Sequence, residues 1–296
     1  MFNAKVKDKI ATGIIYTLSG IIVIILASLL LYILGSGLRY VNWDFLTSTS
    51  SDFSKGSGVG VQLFNSFYLL VISMLISIPI SVSSGIYLSE YAGKSKIVNV
   101  IRISIEVLSS LPSIVVGLFG FLVFVIYFHM GFSILSGALT LTVFNLPILT
   151  RSVEDSLKAV PGSQREAGLS LGLSKWETVI HVIIPSALPG IITGMVLGAG
   201  RIFGEAAALI YTAGQSAPPL EFSNFNIFSP TNPLNLMRPA ETLAVHIWKV
   251  NSEGLVANAD QVSAGSSAIL IIAVLIFNLL ARYIGNKVYK KITGGE

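Results

Sequence analysis

The chain has 296 residues, 53% hydrophobic and only 11% charged, with a mean hydropathy of +0.77 and a formal net charge of +4. Soluble domains carry about 25% charged residues, so this composition excludes an ordinary water-soluble domain and points to a polytopic membrane protein. Cysteine is absent, which excludes a disulfide framework and thiolate metal sites, and His129, His181 and His246 lie far apart without an H-E-x-x-H pattern for zinc.

A spanning helix needs about 20 mostly apolar residues. Lys5, Lys7 and Lys9 precede an apolar run over 14–34, the first predicted span. The run is long enough to cross a bilayer and no small-x-small cleavage site stands out, so it reads as a retained helix. Gly35-Ser36-Gly37 breaks the pattern, and residues 38–61, with Asp44, Asp52 and Lys55, read as an exposed loop. The second predicted span is 62–87, with Pro79 expected to kink it. Lys94, Lys96 and Arg102 follow, then a third span over 107–128. Its opening, Leu108-Ser109-Ser110-Leu111-Pro112-Ser113, predicts a bent or broken start. A turn at 129–131 leads to a fourth span, 132–150, containing Asn145 and Pro147.

A polar stretch over 161–185 interrupts the apolar blocks. The fifth span, 188–212, is rich in glycine (Gly190, Gly194, Gly198, Gly200, Gly204), which permits close helix approach. The connection 214–262 holds five prolines and is too polar to span. A sixth span, 263–283, precedes a basic tail. Fourteen Lys or Arg fall at the N-terminus, around 94–102, around 151–175 and from 282 onward, against four (Arg39, Lys55, Arg238, Lys249) on the other side. The positive-inside rule then places both termini and the 161–185 stretch in the cytoplasm.

Two helix-start signatures lie inside that stretch. Ser163 with Glu166, and Ser174 with Glu177, each fit a capping box. Gly172 fits the left-handed position just past a helix end. The expectation is two short helices joined at 172–173, an elbow on the membrane surface, with Leu169, Leu171, Leu173 and Trp176 giving it something to bury. Local physics leaves two readings open: a self-capped surface loop, or a knob that enters a groove on a soluble partner.

The spacing of Glu166, Ala167, Gly168, Gly172, Val182, Ile184 and Pro185 resembles the E-A-A-x3-G-x9-I-x-L-P loop of permease subunits of ATP-binding-cassette importers, departing mildly at Gly168, Val182 and Ile184. In that family the elbow docks on the ATPase subunit, so the resemblance implies a coupling role for Glu166, Ala167, Gly168 and Gly172, shaped by Ser163 and Ser174. The chain holds no G-x4-G-K-[ST] phosphate-binding loop. No bound cofactor and no enzymatic activity are therefore expected of it, and ATP with magnesium belongs to a partner.

Arg201 and Glu205 stand four apart in the fifth predicted span, which on a helix places them on one face. Charges in the bilayer are costly and face a cavity or a partner. One reading is a neutralising structural pair. The other is an anion path in which Arg201 presents its planar fork to oxyanion oxygens and Glu205 holds it. Glu106 reads as a surface partner of Arg102 four residues earlier. His246 and Trp248 read as exposed anchors that dock a binding protein or pack on a partner permease.

The segments 200–208, 111–117 and 241–248 resemble signatures of the phosphate-specific importer permeases, A-type, a likeness that extends over nearly the whole chain. It implies an all-α subunit of six spans with the type I importer permease fold (MetI-like), in the cytoplasmic membrane of a prokaryote. It also implies a C-type permease partner, a homodimeric ATPase and an extracytoplasmic phosphate-binding protein. Alternatives are a permease for sulfate or molybdate, an ATP-independent channel or carrier, and a scaffold without transport.

Overall fold

A computed structural model describes residues 4–48, 58–93, 95–253 and 258–294. The Ser/Gly-rich part of the loop predicted over 38–61, with Asp52 and Lys55, and the basic residue Lys94 lie outside the described residues. The described residues are helical or irregular, without a strand. Five helices are long and apolar enough to cross a membrane, or six if one bent pair counts as a single span.

Helix α1 (Ala4–Gly37) opens with Lys5, Lys7, Asp8 and Lys9 and is apolar all round beyond them, and its most apolar stretch buries nothing inside the chain. Such a helix has hydrocarbon as its solvent. It touches α12 (Ala259–Thr293), and at Gly37 any Cβ would collide with the backbone of Ala264. After the short α2 (Trp43–Thr47), helix α3 (Gly60–Ile86) continues through Pro79 and ends in a wider, π-type turn at Tyr87–Tyr91. Its main partner is α6 (Ile134–Lys158). Leu69 and Leu70 meet Ile134, Ala138 and Leu141 there. Buried serines line the same side of α3, and Ser77 returns its hydroxyl to the Ser73 carbonyl at 2.6 Å. Small residues whose hydroxyls bond back to their own helix allow close packing, although the buried Ser73 hydroxyl itself finds no partner among the described residues.

The third apolar block is two helices. α4 (Lys96–Ser109) and α5 (Ser113–Gly120), which runs on through Phe121–Tyr127, meet at 102°. Pro112 sits at the corner with extended backbone, and a residue ahead of proline avoids the α region. Residues 107–109 therefore close α4, whereas the third predicted span had placed them at its own start. Hydropathy sums apolar character along the chain but is blind to a change of direction.

The fifth block also differs. α8 (Lys175–Thr178) does not stop before the span. It passes through a π-type turn (Val179–Ile183) into α9 (Ile184–Phe203), giving one rod over Lys175–Phe203. At the other end the rod stops at Phe203, nine residues short of the predicted 212, and a separate turn, α10 (Ala207–Ile210), follows. α10 packs on α5 so closely that a Cβ on Gly117 would stand 2.6 Å from the Ala208 Cα. Among its described residues, the connection between α10 and α12 carries one helix, α11 (Leu243–Glu253). Gly285 lies against Ile192, and Gly200 lies near Asn278, so α12 runs antiparallel to α9. The start of α1, the end of α12 and the 161–185 elbow thus share one end of the bundle.

Candidate functional site: the elbow and the broken fifth span

The first arm of the elbow is α7 (Gly162–Ser170). The Ser163 capping box does not form: the helix begins at Gly162, Pro161 holds the N-cap position, and no side chain caps it. Proline, with its fixed φ of −54° here, opens the helix by backbone geometry alone. Gly172 has φ +82°, the left-handed conformation expected of it, and Leu173 N–H donates to the Gly168 carbonyl at 3.3 Å to close the first arm. The second box is present: Glu177 N–H donates to Ser174 Oγ at 3.3 Å and Ser174 N–H donates to Glu177 Oε2 at 2.8 Å.

Gly168 is buried between the arms, where a Cβ would stand 2.7 Å from Thr178 Cγ2. Thr178 thus occupies the room that an alanine would need, which accounts for glycine at this point of the loop. The outward side is different. Glu166 and Ala167 are exposed, and so are Leu169, Leu171 (83%) and Trp176 (53%). Three large apolar side chains on a polar foot stay uncovered by their own chain.

The inner side of α7 carries a residue that sequence reasoning passed over. Arg165 forks onto Glu90, with Nη2 at 2.8 Å from Oε1 and Nε at 3.2 Å from Oε2. It also donates to the carbonyls of Leu157 and Val160, each at 2.7 Å. Glu90 stands 75 residues away in the chain, so no local spacing could have revealed it.

Arg201 and Glu205 do not form the expected pair. Gly204 ends the helix between them, so the four-residue spacing no longer places them on one face. Glu205 is buried and accepts the Ala208 N–H at 3.1 Å, capping the turn that follows the break. Arg201 is exposed, and its guanidinium carbon lies 3.9 Å from the centroid of the Phe144 ring, a cation–π contact. Among the described residues no carboxylate pairs with Arg201. The expected Arg102–Glu106 pair is absent too: Arg102 Nε bonds Glu154 at 2.9 Å and its Nη2 donates to the Leu88 carbonyl, while Glu106 is exposed.

A second network seals the other end of the bundle. Gln62, Asn65 and Ser66, at helical spacing on the first turns of α3, hold the start of the 241–248 segment. Gln62 donates to Glu241 Oε2 at 2.9 Å, Asn65 donates to the Glu241 carbonyl at 3.0 Å, and Ser66 Oγ accepts the Leu243 N–H at 2.8 Å. His246 is not the exposed anchor expected from the sequence; it is 2% exposed and its Nδ1 lies 3.1 Å from Glu241 Oε1. Arg238 is fully buried, donating to Asn65 Oδ1 at 2.7 Å and to the Pro233 carbonyl, and burial lowers its pKa to about 10. Polar residues at i, i+3 and i+4 on an otherwise apolar span were the one available signal for this contact. Among the described residues no three His, Asp or Glu side chains converge as metal ligands would.

Comparison with known proteins accords with this arrangement. Residues 77–294 match the family described as binding-protein-dependent transport system inner membrane component. The "Probable ABC transporter permease protein YqgI" of Bacillus subtilis (strain 168) is 52% identical, over 98% of this chain and 99% of its own. The "Phosphate transport system permease protein PstA" of Xylella fastidiosa (strain 9a5c) is 36% identical over 69% of this chain and 70% of its own. "PstA 2" of Mycobacterium bovis is 34% identical over 82% and 76%. Among solved structures, a bacterial alginate ABC transporter chain matches with a TM-score of 0.64 at 13% identity, covering 96% of each chain. An inward-facing MetNI methionine transporter chain matches with a TM-score of 0.53 at 17% identity, covering 79% of this chain and 94% of that one. The likeness to these two structures shows the all-helical MetI-like importer fold, and the family and sequence matches carry the rest: the chain belongs to the binding-protein-dependent transport system inner membrane components, the permease subunits of ABC importers.

Proposed function

We propose that this permease is the A-type half of an importer for inorganic phosphate. It works by alternating access with a C-type permease, a homodimeric ATPase that uses ATP and magnesium, and an extracytoplasmic phosphate-binding protein. It sits in the cytoplasmic membrane of a prokaryote with both termini inside. The elbow is the ATPase contact through Glu166, Ala167, Gly168 and Gly172, and its uncovered Leu169, Leu171 and Trp176 are what a docking groove would bury.

The observation that carries the substrate reading is Arg201. Its guanidinium is exposed at the end of the fifth span, braced from one side by Phe144 and not neutralised by Glu205. A planar fork held by a ring and left without a carboxylate suits a phosphate oxyanion crossing a low-dielectric region. Relatives named as phosphate permeases support the same cargo. Glu205 serves the path indirectly here, by shaping the break that ends α9 beside Arg201.

The test is uptake of labelled inorganic phosphate by the complete complex in proteoliposomes. Arg201→Gln should lower uptake about 100-fold, the scale of one lost charge-assisted contact in a desolvated site, while the complex still assembles. Normal uptake by that variant, or preference for sulfate or molybdate over phosphate, would overturn the reading. Uptake without the ATPase subunit would make the chain a channel or carrier.

A further inference from the structure

We propose that Arg165 and Lys175 fasten the two arms of the elbow to the terminal turn of α3, so that Glu90 and Tyr91 are where elbow movement enters the second span. This rests on the coupling role proposed above. It adds a route into the membrane besides the covalent one through α8 and α9.

The geometry is specific. Both carboxylate oxygens of Glu90 receive N–H groups from Arg165. The carboxylate is nearly buried, at 8% exposed, and Ser89 Oγ donates to it as well, at 3.0 Å. The remaining donors of Arg165 reach the carbonyls of Leu157 and Val160, at the C-terminal end of α6. Helix ends leave such carbonyls without partners inside the helix, and a cation suits them. One guanidinium therefore joins α7 to the ends of both α3 and α6. On the second arm, the Lys175 ammonium lies 4.7 Å from the centroid of the Tyr91 ring.

The receiving turn is itself unusual. Residues Tyr87–Tyr91 are wound as a π-type turn, with Ala92 N–H donating to the Tyr87 carbonyl five residues back at 2.8 Å. Such turns recur at functional positions in helices. Arg102 from α4 also donates to this turn, at the Leu88 carbonyl. Three elements thus converge on five residues. A lysine at position 165 would keep the charge but lose the fork, since an ammonium is a point donor.

The experiment uses the complete complex in proteoliposomes, with labelled inorganic phosphate uptake and ATP hydrolysis measured on the same vesicles. Variants are Glu90→Gln, Arg165→Lys, and the exchange of Glu90→Arg with Arg165→Glu. We expect the ATPase subunit to co-purify with both single variants, while phosphate moved per ATP hydrolysed falls about tenfold, the scale of one charge-assisted bond. The exchange should recover part of that ratio. An unchanged ratio in both single variants overturns the proposal. So does loss of the ATPase subunit together with melting temperature in all three variants, because that outcome marks a purely structural tie. Gly172→Val separates the two readings. If it keeps the ATPase subunit and uptake, the elbow is not the coupling element at all. If it releases the ATPase while the clamp variants keep a normal ratio, only the clamp fails.

Discussion

The two ends of the bundle solve opposite problems with similar residues. At the end opposite the termini, charged side chains are turned inward: Glu241, His246 and Arg238 are each buried to within a few per cent, Glu241 and Arg238 held by α3 and loop carbonyls, and His246 held by Glu241 through Nδ1 while its Nε2 finds no partner among the described residues. At the elbow end, charges face inward only on one side, through Arg165, and the other side shows leucine and tryptophan to the surroundings. The first end draws its charge partners from one chain. The second leaves Leu169, Leu171 and Trp176 uncovered. A buried charge that finds all its partners in its own chain marks structure, whereas an apolar knob left uncovered on a polar foot marks an interface.

That contrast can be broken in order of expected size. Glu241→Ala should be the most damaging, because it strips His246, Gln62 and the nearby Lys249 of a shared buried acceptor. Breaking a buried charged pair costs about 3 kcal/mol or more. The chain in detergent should melt at a clearly lower temperature, and an unchanged melting curve would deny the sealed character of that end. Trp176→Ala should do the reverse. Melting should stay as it was, while affinity for the ATPase subunit drops by about 2 kcal/mol, roughly 30-fold, the usual scale of an aromatic hot spot. Titration of detergent-solubilised permease with the ATPase subunit would show this, and undiminished affinity would make the knob an ordinary exposed surface. Smallest is a matched pair within the elbow. Ser174→Ala removes a formed cap and should loosen the start of α8 by about 1 kcal/mol, seen as faster amide exchange there. Ser163→Ala removes a cap that does not exist and should stay within about 0.5 kcal/mol. Equal effects would mean that the two helix starts are alike after all.

Much of this was legible along the chain. Apolar length marked the helices, because a bilayer demands about 20 such residues wherever they occur. The turn at Gly172 and the cap at Ser174 were readable for a different reason: each is decided within four residues. The Ser163 box failed because proline two residues earlier offered a competing start, and a pattern of S-x-x-E does not rank competitors. The Arg201–Glu205 pair failed because a single glycine between them ended the helix on which the spacing argument depended. Arg165–Glu90 and Arg102–Glu154 were beyond reach, since partners 75 and 52 residues apart are chosen by tertiary packing. The same holds for Arg238, whose position in a polar loop carries no sign that it is a buried hub.

The unbroken rod from Lys175 to Phe203 sets a mechanical scale. Trp176 on the elbow and Arg201 near the far end are 25 residues apart, about 37 Å at 1.5 Å per residue. Pivoting such a rod by about 5° at one end sweeps the other through roughly 3 Å, the length of a hydrogen bond. A helix that began only at Leu188, as hydropathy alone would have it, would give Arg201 an arm of about 20 Å and roughly half the sweep. Extending the span into the elbow thus nearly doubles the gearing between a small tilt at the foot and the position of the guanidinium.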